Sequence, residues 1–411
     1  MAKLYFFTYS YPFSTDYPWK RYELEHLIPH FDIEVIPFIR RGEKYEDAPE
    51  GPLYHPPVFD EVMPVKYRDA FKIPFLKNRL FYLNEVISGN ILTSKYRVLE
   101  WIASSLRINA SFGNPVIRRL IDHPDEPEKT ILYFYWGLGT ALLIPFFRKA
   151  GYKNIIVRFH GFDLYEERRH NYLPFRKPLL HNLSTALFIS RHGQKYLTDK
   201  YRKIPFDSRV FKLGSARAPE NPPKTEKVFR VVSCSNVIPL KRVDMIAEAL
   251  ALLDFDVEWI HFGDGEMMDK VADITATFPA NVKAVLKGRQ PHSEIIGYYG
   301  REHIDLFLNV STSEGLPVSV MEALSAGIPV FATDVGGSSE IVSEKSGKLL
   351  PADLTPEFLA QEIKHYYLLP EEAKIKLRNS ARKIYTECCD IEKLTGEFID
   401  FLLSLSGQDK N

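Results

Sequence analysis

Two glutamates flank a glycine-proline turn in the second half of this 411-residue chain. Glu314 follows the apolar run of residues 305–310, which is typical of a buried strand. Glu322 lies in a helix predicted to begin at Pro317 and to stop before Gly327, because proline is favoured at helix starts and glycine just past helix ends. At 1.5 Å per residue, Glu322 lies roughly 7.5 Å along this helix. The sequence therefore predicts a carboxylate on either side of a helix start.

The start of this helix also offers backbone groups that suit an anion. The N–H groups near Gly315, Leu316 and Val318 are expected to point out of the helix start, a position that favours phosphate. Carboxylates accept hydrogen bonds from hydroxyl groups. Together these groups suit a sugar joined to a nucleotide through a diphosphate, with sugar and ribose hydroxyls at the carboxylates and phosphates at the helix start.

A second predicted strand, residues 329–333, follows the helix and ends at the Gly336-Gly337 turn. The order strand, helix, strand is typical of a parallel sheet. Such sheets bind ligands beyond the carboxyl ends of their strands, which is where Glu314 is expected to lie.

The spacing of Glu314 and Glu322, followed by Ala326-Gly-Ile-Pro-Val330 and Asp334-Val-Gly-Gly-Ser-Ser-Glu340, resembles the donor-site signature of glycosyltransferase family 4. The resemblance is to members of the exopolysaccharide and lipopolysaccharide biosynthesis type. It implies an α/β protein of the GT-B fold, with two Rossmann-like doubly wound domains facing across a cleft. It also implies a retaining hexosyltransferase that works without a metal and without a cofactor other than its nucleotide-sugar donor.

The resemblance assigns roles to individual residues. Glu314 would hold the transferring sugar, Glu322 the ribose, and Arg289 would stack on the base. The turn at Gly263 would pack beside the nucleotide. The expected donor-binding residues are Lys241, Arg242, Gly263, Arg289, Gly315, Leu316, Val318 and Glu322, and the expected catalytic residues are His160, Lys241 and Glu314.

The predicted clamp on the donor diphosphate departs from the family pattern. Relatives carry a lysine at the position of Lys241 and an arginine near Ser235 or Asn236, and this chain has no arginine there. Arg242 is the candidate substitute, although its place one residue on would aim it elsewhere.

A histidine motif follows a predicted strand in the first half of the chain. Residues 155–159 are apolar except for one arginine and lead into His160-Gly161-Phe-Asp163. This motif resembles the acceptor-domain histidine motif of polysaccharide-building family members, which makes His160, Gly161 and Asp163 the expected acceptor-side residues. His160 would contact the sugar or the acceptor across the cleft. The alternative for Asp163 is that it caps the following turn.

Composition bounds the class of protein. The chain is 45% hydrophobic and 26% charged, as in ordinary globular proteins, and its three cysteines have neither disulfide nor metal spacing. The apolar start is too short for a signal peptide. The uncharged residues 130–147 are interpreted as a strand, a Trp-Gly turn and a helix start, with a transmembrane helix as the alternative.

Charge is divided unevenly between the halves. Residues 1–219 contain 33 Lys and Arg against 23 Asp and Glu, and the remainder contains 20 against 30. Residues 66–82 add a basic and aromatic run. One hypothesis is peripheral contact between this run and an anionic membrane, and the alternative is an amphipathic helix pair that covers the sheet. The run consists of the cations Lys66, Arg68, Lys72, Lys77 and Arg79 and the aromatics Tyr67, Phe71, Phe75, Phe81 and Tyr82.

These observations predict an acceptor-binding domain over residues 1–218, a donor-binding domain over 219–390, and a C-terminal helix over 391–411 that crosses back to the first domain. The expected activity is retaining transfer of a sugar from a UDP or GDP sugar to a glycan or lipid-linked glycan in bacterial polysaccharide biosynthesis. We expect no nucleic-acid partner and a cytoplasmic location, with the inner face of the cell membrane as the site of any peripheral contact. The alternatives are a nucleotide-sugar epimerase of the same fold and a non-catalytic sugar-nucleotide-binding relative.

Overall fold

The computed structural model describes residues 1–13, 18–44 and 48–407. It divides into two compact units: unit 1 comprises residues 1–211 and 395–411, and unit 2 comprises residues 212–394. Residues 212–218 and 391–394 therefore lie with unit 2, outside the range predicted for the donor-binding domain.

Unit 1 is built on a parallel sheet of seven strands in the order β3-β2-β1-β4-β5-β6-β7. Its strands are β1 (Ala2–Thr8), β2 (Phe31–Pro37), β3 (Leu53–Tyr54), β4 (Ile131–Phe134), β5 (Asn154–Phe159), β6 (Thr185–Phe188) and β7 (Asp207–Val210). Its first helices are α1 (Pro18–Leu27), α2 (Arg79–Ser88), α3 (Lys95–Ser111), α4 (Pro115–Asp122), α5 (Ile144–Lys149), α6 (Arg176–Asn182) and α7 (Arg191–Lys200). Short 3-10 helices cover Tyr67–Phe75, Ile91–Thr93, Gly139–Leu143 and Glu166–Arg169.

Strands β1 and β4 of unit 1 are almost continuously apolar because both faces of the sheet are covered there. Successive side chains of β1 point to opposite faces. Tyr5 and Phe7 belong to one buried cluster, whereas Leu4 and Phe6 belong to another. Continuous apolar runs of this kind are typical of parallel sheets in α/β proteins.

Unit 2 has a parallel sheet of six strands in the order β10-β9-β8-β11-β12-β13. Its strands are β8 (Phe229–Cys234), β9 (Val257–Phe262), β10 (Val282–Leu286), β11 (Leu306–Asn309), β12 (Val330–Thr333) and β13 (Gly347–Leu350). Its helices are α8 (Val243–Leu250), α9 (Met268–Ala276), α10 (His292–Arg301), α11 (Val318–Ser325), α12 (Pro356–Tyr367) and α13 (Glu371–Cys388). This is the strand order of a Rossmann sheet, and its topological switch point lies between β8 and β11.

The last helix, α14 (Ile391–Leu405), begins in unit 2, and its residues from Thr395 onward belong to unit 1. There Phe398 and Leu402 join the buried cluster of Leu4 and Phe6. The Arg158 guanidinium lies 4.3 Å from the centroid of the Phe398 ring. The cationic stack and the apolar contacts together fix the end of the chain to unit 1.

Residues 130–147 form β4, the 3-10 helix Gly139–Leu143 and the start of α5, as the strand-and-turn interpretation predicted. Within the described ranges, no helix has both the length and the hydrophobicity needed to cross a membrane.

Candidate active site

The Glu314 turn lies beyond the carboxyl end of β11, at the switch point of the unit 2 sheet. The Glu314 side chain is only 9% exposed, and its Oε1 lies 2.6 Å from Nζ of Lys241. Lys241 ends a 3-10 helix that follows β8, so the ion pair joins the loops after the two central strands. Asn309 adds a weaker donor, with its Nδ2 3.4 Å from the same carboxylate oxygen.

The Gly336-Gly337 turn packs so closely against the Glu314 turn that position 336 requires glycine. Gly336 has a φ of +57°, and a Cβ atom there would lie 1.8 Å from the backbone oxygen of Glu314. Only glycine permits such an approach at that backbone angle. Gly337 also donates its N–H to the carbonyl of Gly315 at 2.9 Å. The second turn therefore fixes the backbone that carries Glu314.

Helix α11 begins at Val318, one residue after Pro317, as the sequence predicted. The residue at its N-cap is Pro317, whose side chain forms no capping hydrogen bond, and Leu316 is buried before it. Uncapped N–H groups at a helix start bind anions because they coincide with the positive end of the helix dipole. The turn thus pairs a carboxylate and an ammonium with a helix start suited to phosphate.

Glu322 lies in the second turn of α11 and is 7% exposed. Its Oε1 lies 2.8 Å from Nε2 of His292, the first residue of α10. This hydrogen bond to the carboxylate raises the pKa of His292, against the opposing effect of burial. Sequence reasoning missed His292. The available signal was its position after Pro291, at a helix start on the ligand side of a parallel sheet.

Arg242 does not extend the phosphate clamp as the sequence reasoning proposed. Its backbone is left-handed, with a φ of +50°, and its guanidinium donates to the carbonyls of Val310 at 2.6 Å and Ala352 at 2.9 Å. A third donor reaches the carbonyl of Ser311 at 3.4 Å. The guanidinium is committed to holding strand-end loops together, so Lys241 is the cation that the structure brings to Glu314.

Two further predicted donor residues occupy turns after other strands. Gly263, with a φ of +144°, lies so close to the loop after β8 that a Cβ would be 1.8 Å from the Ser235 carbonyl oxygen. Close packing of the β8 and β9 loops therefore explains this glycine. Arg289 is exposed in the turn after β10. The described residues contain no group of three or more potential metal ligands.

His160 lies in unit 1 beyond the carboxyl end of β5. Its ring packs at a tilt against Trp136, with centroids 4.2 Å apart, and against Tyr135 at 4.9 Å. Both ring nitrogens are buried and neither makes a hydrogen bond of normal geometry within the described residues, although the ring approaches the backbone of Arg158. Burial lowers the pKa of His160 well below its ordinary value, and the nearby charges of Arg158 and Lys20 lower it further. A neutral imidazole with two unsatisfied nitrogens is thereby held in a rigid aromatic frame.

Asp163 positions this histidine. Its carboxylate accepts the N–H of His160 at 2.8 Å and that of Gly137 at 2.7 Å, which ties together the loops after β4 and β5. Burial raises the pKa of Asp163 to about 6, against these two hydrogen bonds. The turn-capping alternative therefore describes Asp163 better than direct contact with an acceptor. Gly161 is buried beside it, and a Cβ there would lie 2.7 Å from Arg168 Nη1.

A cavity of ≈ 400 Å³ opens beyond the carboxyl ends of β1, β2 and β4 in unit 1. Its lining combines apolar side chains, Ile108 and Leu142 among them, with guanidinium groups. Arg169 lies 3.3 Å from Glu100, and both side chains are less than a quarter exposed. The lining carries three guanidinium groups and one carboxylate, namely Arg41, Arg107, Arg169 and Glu100.

Comparison with known proteins agrees with this architecture. Residues 215–384 match the family model described as "Glycosyl transferases group 1", a range that lies within unit 2. The chain is 29% identical over 178 residues to the GtfA subunit of a UDP-N-acetylglucosamine–peptide N-acetylglucosaminyltransferase of Streptococcus parasanguinis, which covers 40% of this chain and 34% of that protein. It is 25% identical to the teichuronic acid biosynthesis glycosyltransferase TuaC of Bacillus subtilis, over 65% of this chain and 67% of TuaC.

Solved structures extend the likeness to the whole fold. The lipopolysaccharide outer core galactosyltransferase WaaB matches with a TM-score of 0.66 at 14% identity, over 98% of this chain and 99% of that one. A glycosyltransferase of Rickettsia africae matches with a TM-score of 0.65 at 15% identity, over 98% of both chains. The chain spans about a third of the length of this GtfA relative. On this evidence the chain has the GT-B fold of two parallel-sheet α/β domains, and residues 215–384 of its second unit are similar to the group 1 glycosyltransferases.

Proposed function

We propose that this protein transfers a sugar from a nucleotide-diphosphate sugar to a glycan or lipid-linked glycan acceptor. The observation that carries the proposal is the convergence of Lys241, Glu314, Glu322 and the α11 start beyond the central strands of unit 2. A diphosphate sugar presents two kinds of group in sequence, anionic phosphates and neutral hydroxyls. The site offers a complement to each.

The proposed roles follow from this geometry. The diphosphate lies at the start of α11, where Lys241 and the backbone N–H groups oppose the negative charge that develops as the sugar leaves. Stabilising that charge with preorganised donors is commonly the largest contribution to such catalysis. Glu314 accepts hydrogen bonds from the sugar, and Glu322 accepts them from the ribose. These groups account for leaving-group stabilisation without a metal ion, so metal independence is part of the proposal.

Retention of anomeric configuration and the nucleotide are the finer parts of the proposal. Retention rests on the resemblance of the Glu314 and Glu322 spacing to family 4. The preference for a uridine nucleotide is supported by relatives: GtfA is named for a UDP sugar, and a GtfA structure is described in complex with UDP. GDP remains the second candidate. A role in bacterial polysaccharide biosynthesis is supported by the names of TuaC and of the O-antigen glycosyltransferase WbnH of Escherichia coli, which is 44% identical over 57 residues.

The acceptor is proposed to enter the cavity of unit 1. The guanidinium groups of Arg41, Arg107 and Arg169 suit a phosphate or carboxylate, because arginine binds these groups through paired N–H donors. The apolar lining residues of the cavity, among them Leu142, suit a hydrophobic portion of the same molecule. This combination favours an acceptor that carries an anionic group beside an apolar group, as a lipid-linked glycan does.

A ligand screen followed by a binding measurement tests the donor assignment. Thermal unfolding is recorded with UDP, GDP and ADP, and the stabilising nucleotide is then titrated by calorimetry. The expected result is stabilisation by one of the diphosphates, lost in Glu322→Ala. The matched control is Glu362→Ala in unit 2, since Glu362 is as buried as Glu322 and lies 2.6 Å from Lys348, as Glu322 lies 2.8 Å from His292. Stabilisation by none of the nucleotides, or equal loss in both variants, contradicts the proposal.

A further inference from the structure

Residues 62–92 of unit 1 expose an unusual amount of apolar surface. Of the fifteen large hydrophobic side chains that are exposed in the described part of the chain, eight fall in this segment. Phe75 is 89% exposed, Ile87 83% and Phe71 81%. We call these side chains and the neighbouring cations the apolar–basic surface. It comprises Val62, Tyr67, Phe71, Phe75, Leu80, Leu83, Ile87 and Leu92, with Lys66, Arg68, Lys72, Lys77 and Arg79.

The exposure is a property of a well-anchored segment. Ile73, Tyr82 and Ile91 alternate with the exposed residues and are completely buried in the unit 1 core. The indole Nε1 of Trp101 donates to the carbonyl of Tyr82 at 2.9 Å. The ring of Phe81 stacks on that of Phe175, with centroids 5.0 Å apart and an interplanar angle of 11°. One face is therefore fixed to the core while the other presents hydrophobic groups outward.

A buried carboxylate strengthens the anchor. Glu85 of α2 accepts the N–H of Phe175 at 2.9 Å and the hydroxyl of Tyr172 at 3.1 Å. Lys177 reaches from α6 to the carbonyl of Ser88 at the end of α2, at 2.9 Å. These contacts fix the orientation of α2, so the solvent-facing side of the helix is set by tertiary structure.

Helix α2 has opposite characters on its two sides. Leu80, Leu83 and Ile87 are spaced three and four residues apart, which places them on one helical face, and all three are exposed. Tyr82 and Glu85 lie on the other face and are buried. The sequence run had included Phe81 and Tyr82 in the candidate membrane-facing set. The structure places Tyr82 in the core. The exposed apolar residues of α2 are instead Leu80, Leu83 and Ile87, which the run did not include.

The charge on this segment has one sign at the surface. The segment contains five cations and only two carboxylates, Asp69 and Glu85, and both of these carboxylates are buried. Asp69 accepts from the ammonium of Lys72 at 2.7 Å and from the backbone N–H of Lys66 at 2.7 Å. The other four cations, Lys66, Arg68, Lys77 and Arg79, are exposed. Monomeric proteins rarely expose large apolar patches without a partner. An apolar surface bordered by lysine and arginine is complementary to an anionic lipid bilayer.

We infer that the apolar–basic surface docks unit 1 on an anionic lipid bilayer, with its apolar side chains at the acyl boundary and its cations among the headgroups. The inference concerns binding alone and stands whether or not the proposed transfer reaction is correct. A lipid surface accounts for both the exposed phenylalanines and the cations, whereas an acidic protein partner accounts for the cations only.

Co-sedimentation of the full chain with vesicles tests the inference. One set of vesicles contains phosphatidylcholine alone, and the other contains phosphatidylcholine with phosphatidylglycerol. Binding is expected on the anionic vesicles and is expected to weaken as salt is raised, because surface charges are screened. Each basic residue near an anionic bilayer contributes about fivefold to partitioning, so K72E/K77E/R79E should lower binding by at least about 100-fold.

Matched variants separate docking from a change in net charge or hydrophobicity. K195E/R202E/K203E makes the same charge change elsewhere on the exposed surface of unit 1 and should bind like the wild type. F71S/F75S/I87S should lose binding, whereas L252S/L368S, which removes exposed apolar groups from unit 2, should retain it. Circular dichroism confirms that each variant is folded.

The inference is overturned if the wild type binds neutral and anionic vesicles equally or binds neither. It is also overturned if the control charge reversal weakens binding as much as K72E/K77E/R79E does. Sedimentation equilibrium without lipid provides a further arm: a dimer that dissociates in F71S/F75S/I87S would assign the surface to a second copy of the chain instead.

Discussion

The ammonium group of Lys241 lies 2.6 Å from Oε1 of Glu314, and the two residues come from loops that follow the adjacent strands β8 and β11. The pair places a cation beside the start of α11 while the carboxylate remains anchored by the Gly336-Gly337 turn. A donor diphosphate at this helix start would meet Lys241 already oriented, so little reorganisation is needed when charge develops on the leaving group.

The two carboxylates should separate binding from catalysis. Charge-assisted hydrogen bonds contribute about 1.5–3 kcal/mol each, so Glu322→Ala should weaken a nucleoside diphosphate roughly 10–100-fold. Glu314→Ala should leave nucleotide affinity within about threefold, because its proposed partner is the sugar, and should lower kcat instead. Calorimetry and steady-state kinetics on the same preparations check both effects. The reverse pattern, with Glu314 governing nucleotide affinity, would require the roles to be exchanged.

The contact between His292 and Glu322 predicts a pH-dependent stability. The pKa of folded His292 is raised above its ordinary value of 6.5 by the carboxylate, so its protonated form stabilises the folded state. This contribution is fully present below the unfolded pKa and is lost as the pH rises through the raised folded pKa. His292→Gln should therefore lower the thermal midpoint most at acidic pH and least at alkaline pH, with an effect on the order of 1 kcal/mol at most.

A comparison with a second single variant, Glu322→Gln, identifies the partner of His292 in that effect. If Glu322 raises the pKa, the pH dependence removed by His292→Gln should already be absent in Glu322→Gln. A pH dependence that survives in Glu322→Gln would assign the stabilisation to another group.

A substitution at His160 tests whether this histidine has a functional role or only a structural one. His160→Phe preserves a ring that packs against Trp136 and Tyr135 and removes two buried nitrogens that make no hydrogen bond of normal geometry in the described structure. Its thermal midpoint should equal or exceed that of the wild type, because removing unsatisfied buried polar atoms costs no bond. If these nitrogens contact the sugar or acceptor, kcat/KM should fall about 100-fold, or about 2.7 kcal/mol. The exposed His181→Phe serves as the control, and wild-type activity in His160→Phe would make His160 a packing residue.

The local parts of the donor site could be predicted from sequence. Strand β11, helix α11 and strand β12 fall within one or two residues of their predicted bounds, because apolar runs, Pro317 and Gly327 determine them over short distances. The C-terminal helix predicted from residue 391 is α14, Ile391–Leu405. The unit 2 strand order then brings Lys241 to Glu314 across 73 positions of sequence.

The remainder depended on tertiary contacts that no local pattern specifies. Arg242 was a plausible phosphate ligand by residue type, but its left-handed backbone directs the guanidinium to carbonyls that follow β11 and β13. The partnership of His292 with Glu322 joins two helices 30 positions apart. The exposed face of α2 could not be distinguished from its buried face without the anchors at Glu85 and Tyr82.

The unit 1 cavity predicts an acceptor-specific effect of Arg107. Arg107 lines the cavity from α3, the helix that also carries Glu100, the partner of Arg169. A lost charge-assisted contact is worth about 1.4 kcal/mol or more, so Arg107→Gln should raise KM for the acceptor about tenfold and leave KM for the donor unchanged. Arg202→Gln, on the exposed surface of the same unit, is the control. A change in donor KM alone would remove the cavity from the proposed acceptor site.

The most direct test of the central claim is turnover of nucleotide sugars. The wild type is incubated in EDTA with UDP- and GDP-linked sugars and a membrane-lipid extract as acceptor, and nucleoside diphosphate and glycosylated product are quantified together. The account predicts equal amounts of both for one donor, undiminished by EDTA, with the anomeric configuration of the donor retained in the product by proton NMR. Nucleotide-sugar binding without product would identify a non-catalytic binding protein, and activity that requires manganese or inverts the linkage would contradict the proposed mechanism.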